Sequence, residues 1–270
     1  MNDTVLERVL RRDRHVILAS LLLLVALAWG YVFWLAGHME APPDAAAMAG
    51  MDMGEAIAPA INPWTVAEFV VTFVMWTVMM AGMMMPSAAP MILLYARVGR
   101  QAAVQQKPFA ATGWFASGYI LAWAIFSAIA VVAQAELSKF ALLTPMMKTD
   151  NNFLGGGILV VAGAYQWSAF KDSCLVQCRS PLAFLQQHGG FKAQATAAVA
   201  LGFRHGLYCV GCCWALMLLL FVGGIMNVAW IAGLAILVFV EKLLKSGRLF
   251  YRASGILLIT SGLVLIYRNL

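Results

Sequence analysis

The chain has 270 residues, of which 63% are hydrophobic and 11% charged, with a formal net charge of +6 and a mean hydropathy of +0.83. Soluble domains carry about 25% charged residues, so this composition excludes a water-soluble particle of this size. The positive balance reads as loop lysines and arginines that set membrane orientation rather than as a nucleic-acid footprint.

The apolar residues fall in blocks, most of them long enough for a hydrocarbon core of roughly 30 Å, which takes about 20 helical residues. The first predicted span covers about Val16 to Ala36; its apolar run is too long for a signal-peptide core, so it reads as a retained helix. The second follows the helix-start signal Asn62-Pro63 and continues to about Tyr95, with Pro86 and Pro90 expected to bend or break its far end. A third runs from about Thr112 to Ala135. The fourth covers about Leu154 to Phe170 and is open to extension, and the fifth covers about Gln194 to Val222. The sixth (Val228 to Leu243) and seventh (Tyr251 to Ile266) are short. The expectation is an all-α, polytopic transmembrane bundle of about seven helices. It divides into a basic arm and first helix (1–36), an outer loop (37–62) and a six-helix core (63–270).

Under this scheme the basic residues segregate. Fourteen lie on one side: Arg8, Arg11, Arg12, Arg14, Arg97, Arg100, Lys107, Lys171, Arg179, Lys192, Lys242, Lys245, Arg248 and Arg252. Lys139, Lys148 and Arg268 lie on the other, and Arg204 falls inside a span. The positive-inside rule then puts the N-terminus in the cytoplasm of a multi-pass protein of the bacterial inner membrane. The loop from His38 to Ile61 has no lysine or arginine. It carries four carboxylates together with His38, Met39, Met48, Met51 and Met53, and it is expected to be mobile.

The sharpest chemical pattern is His205-Gly-Leu-Tyr-Cys209-Val-Gly-Cys212-Cys213. With His205 at zero on a helix, Cys209 falls near +40°, Cys212 near −20° and Cys213 near +80°, within one arc of about 100°. Thiolate and imidazole suit soft or borderline ions such as Cu(I) and Zn(II). Gly202, Gly206 and Gly211 would admit a neighbouring helix closely. Taken one at a time, such cysteines are more often small buried hydrophobes. Arg204 would be a buried charge paired with Glu136 or Glu68, or a snorkelling one.

A second pair, Cys174 and Cys178, is spaced to share a helix face at the cytoplasmic edge. Straight helices would keep it about 20 Å or more from the first group at a rise of about 1.5 Å per residue. Two separate sites, or a re-entrant segment around Cys174, would each satisfy the spacing. Met75, Met79 and Met83 form one stripe, and Met80, Met84 and Met91 a second. These methionines suit apolar packing or, as thioethers, a path for Cu(I). No phosphate-binding loop, serine-hydrolase elbow, zinc-protease or haem-attachment motif is present.

Three runs together carry a resemblance: Met79 to Met91 with Leu94-Tyr95-Ala-Arg97; Tyr165-Gln166 with Lys171, Cys174 and Cys178-Arg-Ser-Pro181; and His205 to Trp214 with Met217, Gly223-Gly224 and Met226-Asn227. The chain resembles a bacterial family of predicted metal-binding integral membrane proteins over about residues 65 to 265. The resemblance implies a metal function and supplies neither a transported species nor a reaction.

The leading expectation is therefore a non-enzymatic protein that binds copper (alternatively zinc) for transport or delivery. His205, Cys209, Cys212 and Cys213 would be the ligands. Met75, Met79, Met80, Met83 and Met84 would relay, and Cys174 and Cys178 would accept or donate at the inner face. Its partners would be the lipid bilayer and a metal-receiving membrane or periplasmic protein, with no nucleic acid. The competing readings are a thiol–disulfide oxidoreductase using Cys209, Cys212 and Cys213, and an assembly subunit whose cysteines only pack.

Overall fold

A computed structural model of the chain describes residues 5–39, 64–106, 110–140, 142–143, 148–149, 151–190, 193–244 and 247–268. The outer loop with its methionines, apart from the end of the first helix, lies outside the described residues, as do Asn62-Pro63, Lys107, Lys192 and Lys245. Among the described residues the named elements are all helices, with one isolated antiparallel bridge between Leu143 and Thr149. The helices are α1 (Val5–Met39), α2 (Val66–Val104), α3 (Thr112–Lys139), α4 (Asn152–Tyr165), α5 (Ala169–Arg179), α6 (Pro181–Gln187), α7 (Ala195–Met217), α8 (Val228–Leu243) and α9 (Arg248–Tyr267), with a single further turn at Leu220–Gly223. Among the described residues, five stretches are long and apolar enough to cross a membrane: Ile17–Gly37, Val66–Ala102, Thr112–Lys139, Ala195–Gly223 and Arg248–Tyr267.

Two expectations about helix continuity are revised, the first only in its alternative of a break at the prolines. Helix α2 runs on through Pro86 and Pro90 without a break. The residues around them are buried against other helices, and packed neighbours make a proline tolerable in a membrane helix. Met84 O also takes two further donors, Ser87 Oγ at 2.7 Å and Tyr119 Oη at 3.1 Å, which tie the proline segment to α3.

The fourth predicted span, in contrast, does not run straight to Phe170. Helix α4 stops at Tyr165, and α5 leaves it at 65°. The intervening turn satisfies its own backbone: Trp167 N donates to Ala164 O and Ser168 N to Tyr165 O, both at 3.0 Å. Ser168 then caps α5 by accepting from Lys171 N at 3.1 Å, a side-chain cap of the usual serine kind.

Glycine decides how the bundle closes. A Cβ on Gly202 would sit 1.9 Å from Phe115 O, and one on Gly118 2.0 Å from Val199 O. Helices α3 and α7 therefore meet backbone to backbone along Gly118, Gly202 and Gly206, as small residues allow in membrane bundles. Helices α4 and α9 pack in the same manner through Gly156, Gly163, Gly255 and Gly262. The buried core between these pairs holds Trp76, Tyr95, Phe115, Tyr119, Trp123, Phe184 and the methionines of α2.

Candidate functional site

The elbow between α4 and α5 carries the site. It is fixed by a polar triangle buried among apolar helices. Lys171 Nζ donates to Glu241 Oε2 at 2.6 Å and to Gln166 Oε1. Gln166 Nε2 in turn donates to Glu241 Oε1 at 2.9 Å. Lys171 and Gln166 are wholly buried and Glu241 nearly so. Arg179, at the end of α5, donates to the Glu241 carbonyl through Nε at 3.1 Å and through Nη2. Both ends of α5 are thus tied to one residue of α8.

With α5 so held, its cysteines face α7. Cys178 Sγ lies 3.9 Å from Cys212 Sγ. Cys174 packs on Gly211, where a Cβ would come within 2.8 Å of its sulfur. Tyr165 Oη donates to Gly211 O and its ring meets Trp214 edge-on, which seals the same contact. The separation of about 20 Å drawn from straight helices is therefore corrected. The 65° break folds the second cysteine pair back onto the first, and the two groups form one cluster.

Of the α7 donors, Cys209, Cys212, Cys213 and His205 are all buried. Cys212 Sγ and Cys213 Sγ both donate to Cys209 O, at 3.1 and 3.0 Å. Cys209 Sγ is the polar centre of the cluster. It meets Tyr119 Oη at 3.0 Å and accepts from Lys242 Nζ at 2.9 Å, and the same ammonium reaches Ser87 Oγ at 3.0 Å. His205 stands one turn earlier in a box of rings, with Phe184 5.0 Å away and Phe115 and Tyr119 each 6.0 Å away between centroids. Its Nδ1 finds no hydrogen-bond partner among the described residues. All five cysteines are free thiols.

Met75, Met79, Met80, Met83 and Met84 are all buried on α2, and so are Met85 and Met91. Tyr119 links this stretch to the thiols, since its hydroxyl touches both Met84 O and Cys209 Sγ. Of the two expectations for Arg204, the buried pair with Glu136 or Glu68 is corrected, and the snorkelling alternative is left. Arg204 is exposed on the outside of α7, while Glu136 pairs with Lys139 at 2.6 Å and Glu68 accepts from Thr65.

Three contributors escape a reading of the sequence: Lys242, Tyr119 and Ser87. Both Lys242 and Lys171 look like loop charges, yet one touches a thiol and the other is fully buried. The signal in the sequence is Glu241-Lys242 at the end of an apolar helix. Adjacent residues lie about 100° apart around a helix, so two opposite charges there serve two different neighbours.

Among the described residues no three His, Cys, Asp or Glu side chains already converge as a metal cage. The sulfur pair stands at ordinary contact distance, which is also a distance that two ligands of one ion would keep. Metal–thiolate bonds of about 2.3 Å put two sulfurs of a tetrahedral ion about 3.8 Å apart, close to the 3.9 Å between Cys178 and Cys212. Enclosing an ion would require Cys212 to turn from the Cys209 carbonyl, a change of one side-chain torsion.

A family model described as a copper chaperone, PpoB2, matches residues 73–265. That stretch takes in α2 from its first methionines, every thiol, the elbow and nearly all of α9. No curated protein and no solved structure matches the chain.

Proposed function

The chain belongs to the PpoB2 copper chaperone family, and from that premise we propose that it is a multi-pass inner-membrane protein that binds Cu(I) on its cysteine cluster and hands it on. The observation that carries this reading is the approach of Cys178 to Cys212 at 3.9 Å, beside a Cys209 sulfur that an ammonium contacts. Two distant sequence motifs are folded together so that sulfurs meet sulfurs at a site where Cys209 and Cys212 are buried and Cys178 half-buried. Soft thiolates are the donors Cu(I) prefers.

In this reading Cys178, Cys209 and Cys212 hold the ion, with Cys213 and His205 beside them. Cys174 backs the cluster through Gly211. Met75, Met79, Met80, Met83 and Met84 offer thioethers along α2 as a weaker path to it. Thiols that also hydrogen-bond a carbonyl give a site that opens by side-chain rotation, which suits an ion that must leave again. The receiving partner is a membrane or periplasmic protein that takes Cu(I). Seven membrane passes, with α4 and α5 sharing one broken pass and the N-terminus cytoplasmic, are supported by the lysines and arginines gathered on one side, Lys171 and Lys242 apart.

The test is metal analysis of detergent-purified protein loaded anaerobically with Cu(I). Wild type should retain stoichiometric copper after desalting. Cys209→Ser, Cys212→Ser and Cys178→Ser should each weaken retention by roughly 10- to 100-fold, a loss of the size seen when even outer partners of a metal site are removed. Retention equal to wild type in all three would overturn the site. A reversible disulfide among the cysteines with no bound metal would favour the oxidoreductase instead.

A further inference from the structure

Lys242 has a place in the cluster that neither the family description nor the ligand set explains. Its Nζ lies 2.9 Å from Cys209 Sγ and 3.0 Å from Ser87 Oγ. Ser87 is itself anchored on Met84 O, so the ammonium is held on the thiol side of α8. The neighbouring carboxylate, Glu241, does not offset it there, because both its oxygens are engaged by Lys171 and Gln166. Tyr119 and Cys178, which also touch the Cys209 and Cys212 sulfurs, bring no cation of their own.

We propose that Lys242 is the charge filter of this site: it restricts the cluster to monovalent soft ions by placing one fixed positive charge beside the ion's position. The inference rests on the copper-binding reading above and specifies the ion class the site admits. Thiolates attract a divalent ion twice as strongly as a monovalent one, and a fixed cation beside them offsets that advantage. Coulomb repulsion scales with the product of charges, so one ammonium opposes a divalent ion twice as strongly as a monovalent one at the same place. In a buried site that difference is weakly screened. Softness alone would not achieve it, because thiolates bind soft divalent ions well.

Ag(I) and Cd(II) isolate charge from softness, since both are soft, redox-inert, filled-shell ions. Their affinities for the detergent-purified full chain are measured by competition against a chromophoric chelator. The variants are Lys242→Met, Lys242→Gln and Lys242→Arg. Loss of the charge in Met and Gln should raise the Cd(II)-to-Ag(I) affinity ratio by about 10- to 1000-fold, the range over which one neighbouring charge moves other buried ionic equilibria. Arg should hold the ratio near that of wild type. Having two neutral variants keeps the comparison open where one does not fold. A ratio unchanged in the folded neutral variant, or raised equally in Arg, overturns the charge filter while leaving the copper site standing. Wild type that binds neither Ag(I) nor Cu(I) overturns the copper reading itself.

Discussion

Glu241 and Lys242 are consecutive residues of α8, yet they serve two polar regions of opposite character. Glu241 belongs to the elbow network with Gln166, Lys171 and Arg179, where cation and carboxylate are paired at 2.6 Å and almost wholly buried. Lys242 belongs to the thiol cluster, where the cation meets a sulfur and a hydroxyl instead of a carboxylate. In the first region the Lys171 ammonium has the Glu241 carboxylate as its counter-charge and both carboxylate oxygens are engaged, so the pair holds a shape, with Arg179 added on the Glu241 backbone carbonyl. In the second the ammonium meets a thiol and a hydroxyl, so its charge acts on whatever ion enters beside it. The proposed function therefore falls to the region whose cation contacts a thiol, and the shape of the elbow to the region whose cation contacts a carboxylate.

The sharpest way to break this contrast is to unpair the elbow network. Lys171→Met leaves Glu241 buried without its cation, and removing one partner of a buried pair costs about 3–5 kcal/mol. Thermal unfolding in detergent should show a larger loss of stability than any substitution within the thiol cluster produces. Because the same pair holds the elbow, copper retention should fall with it. A Lys171→Met protein as stable as wild type would mean that the network does not set the bend.

Gly211→Ala tests the seam between the two regions with a smaller effect. Its methyl would meet Cys174 Sγ at 2.8 Å, and overpacking of this kind costs typically about 1–3 kcal/mol. Helix α5 would be pushed off α7, so Cys178 should draw away from Cys212. The expected outcome is a modest drop in melting temperature with a disproportionate loss of Cu(I) affinity. Equal affinity in Gly211→Ala and wild type would show that the α5–α7 distance is not what assembles the site.

Much of the fold is legible in the sequence, and the failures at the site share one cause. The apolar blocks give α1, α2, α3, α7 and α9 to within a few residues at most ends, and α8 at both ends, because hydrophobic length is a direct signal in a bilayer. The glycines of α7 read correctly as points of close approach. The break after Tyr165 does not, because Tyr165-Gln-Trp-Ser168 contains neither glycine nor proline; what ends the helix is a serine cap and a buried glutamine drawn into a distant ion pair. The α7 arc of donors is legible from 3.6-residue periodicity alone. That Cys178 joins it is not, since the approach depends on the elbow, and the elbow depends on Glu241, far along the chain on α8. Lys171 and Lys242 mislead for the same reason: a lysine near a helix end looks like a loop charge until its partner is known.

The smallest expected effect concerns the methionines of α2, which border the thiol cluster without being part of its charge balance. Met79→Leu and Met83→Leu are nearly volume-conserving, and such swaps cost less than about 1.5 kcal/mol in a packed core. Both side chains are buried, so a purely structural role predicts almost no change in any property. A thioether path predicts something different: equilibrium copper content stays at the wild-type level, because the thiols still hold the ion, while the rate of loading falls as the approach loses its soft donors. Stopped-flow loading with a Cu(I)–chelator complex separates the two. Loading in the double Leu variant at the wild-type rate would assign Met79 and Met83 to packing alone and leave the proposed copper site to the thiol cluster.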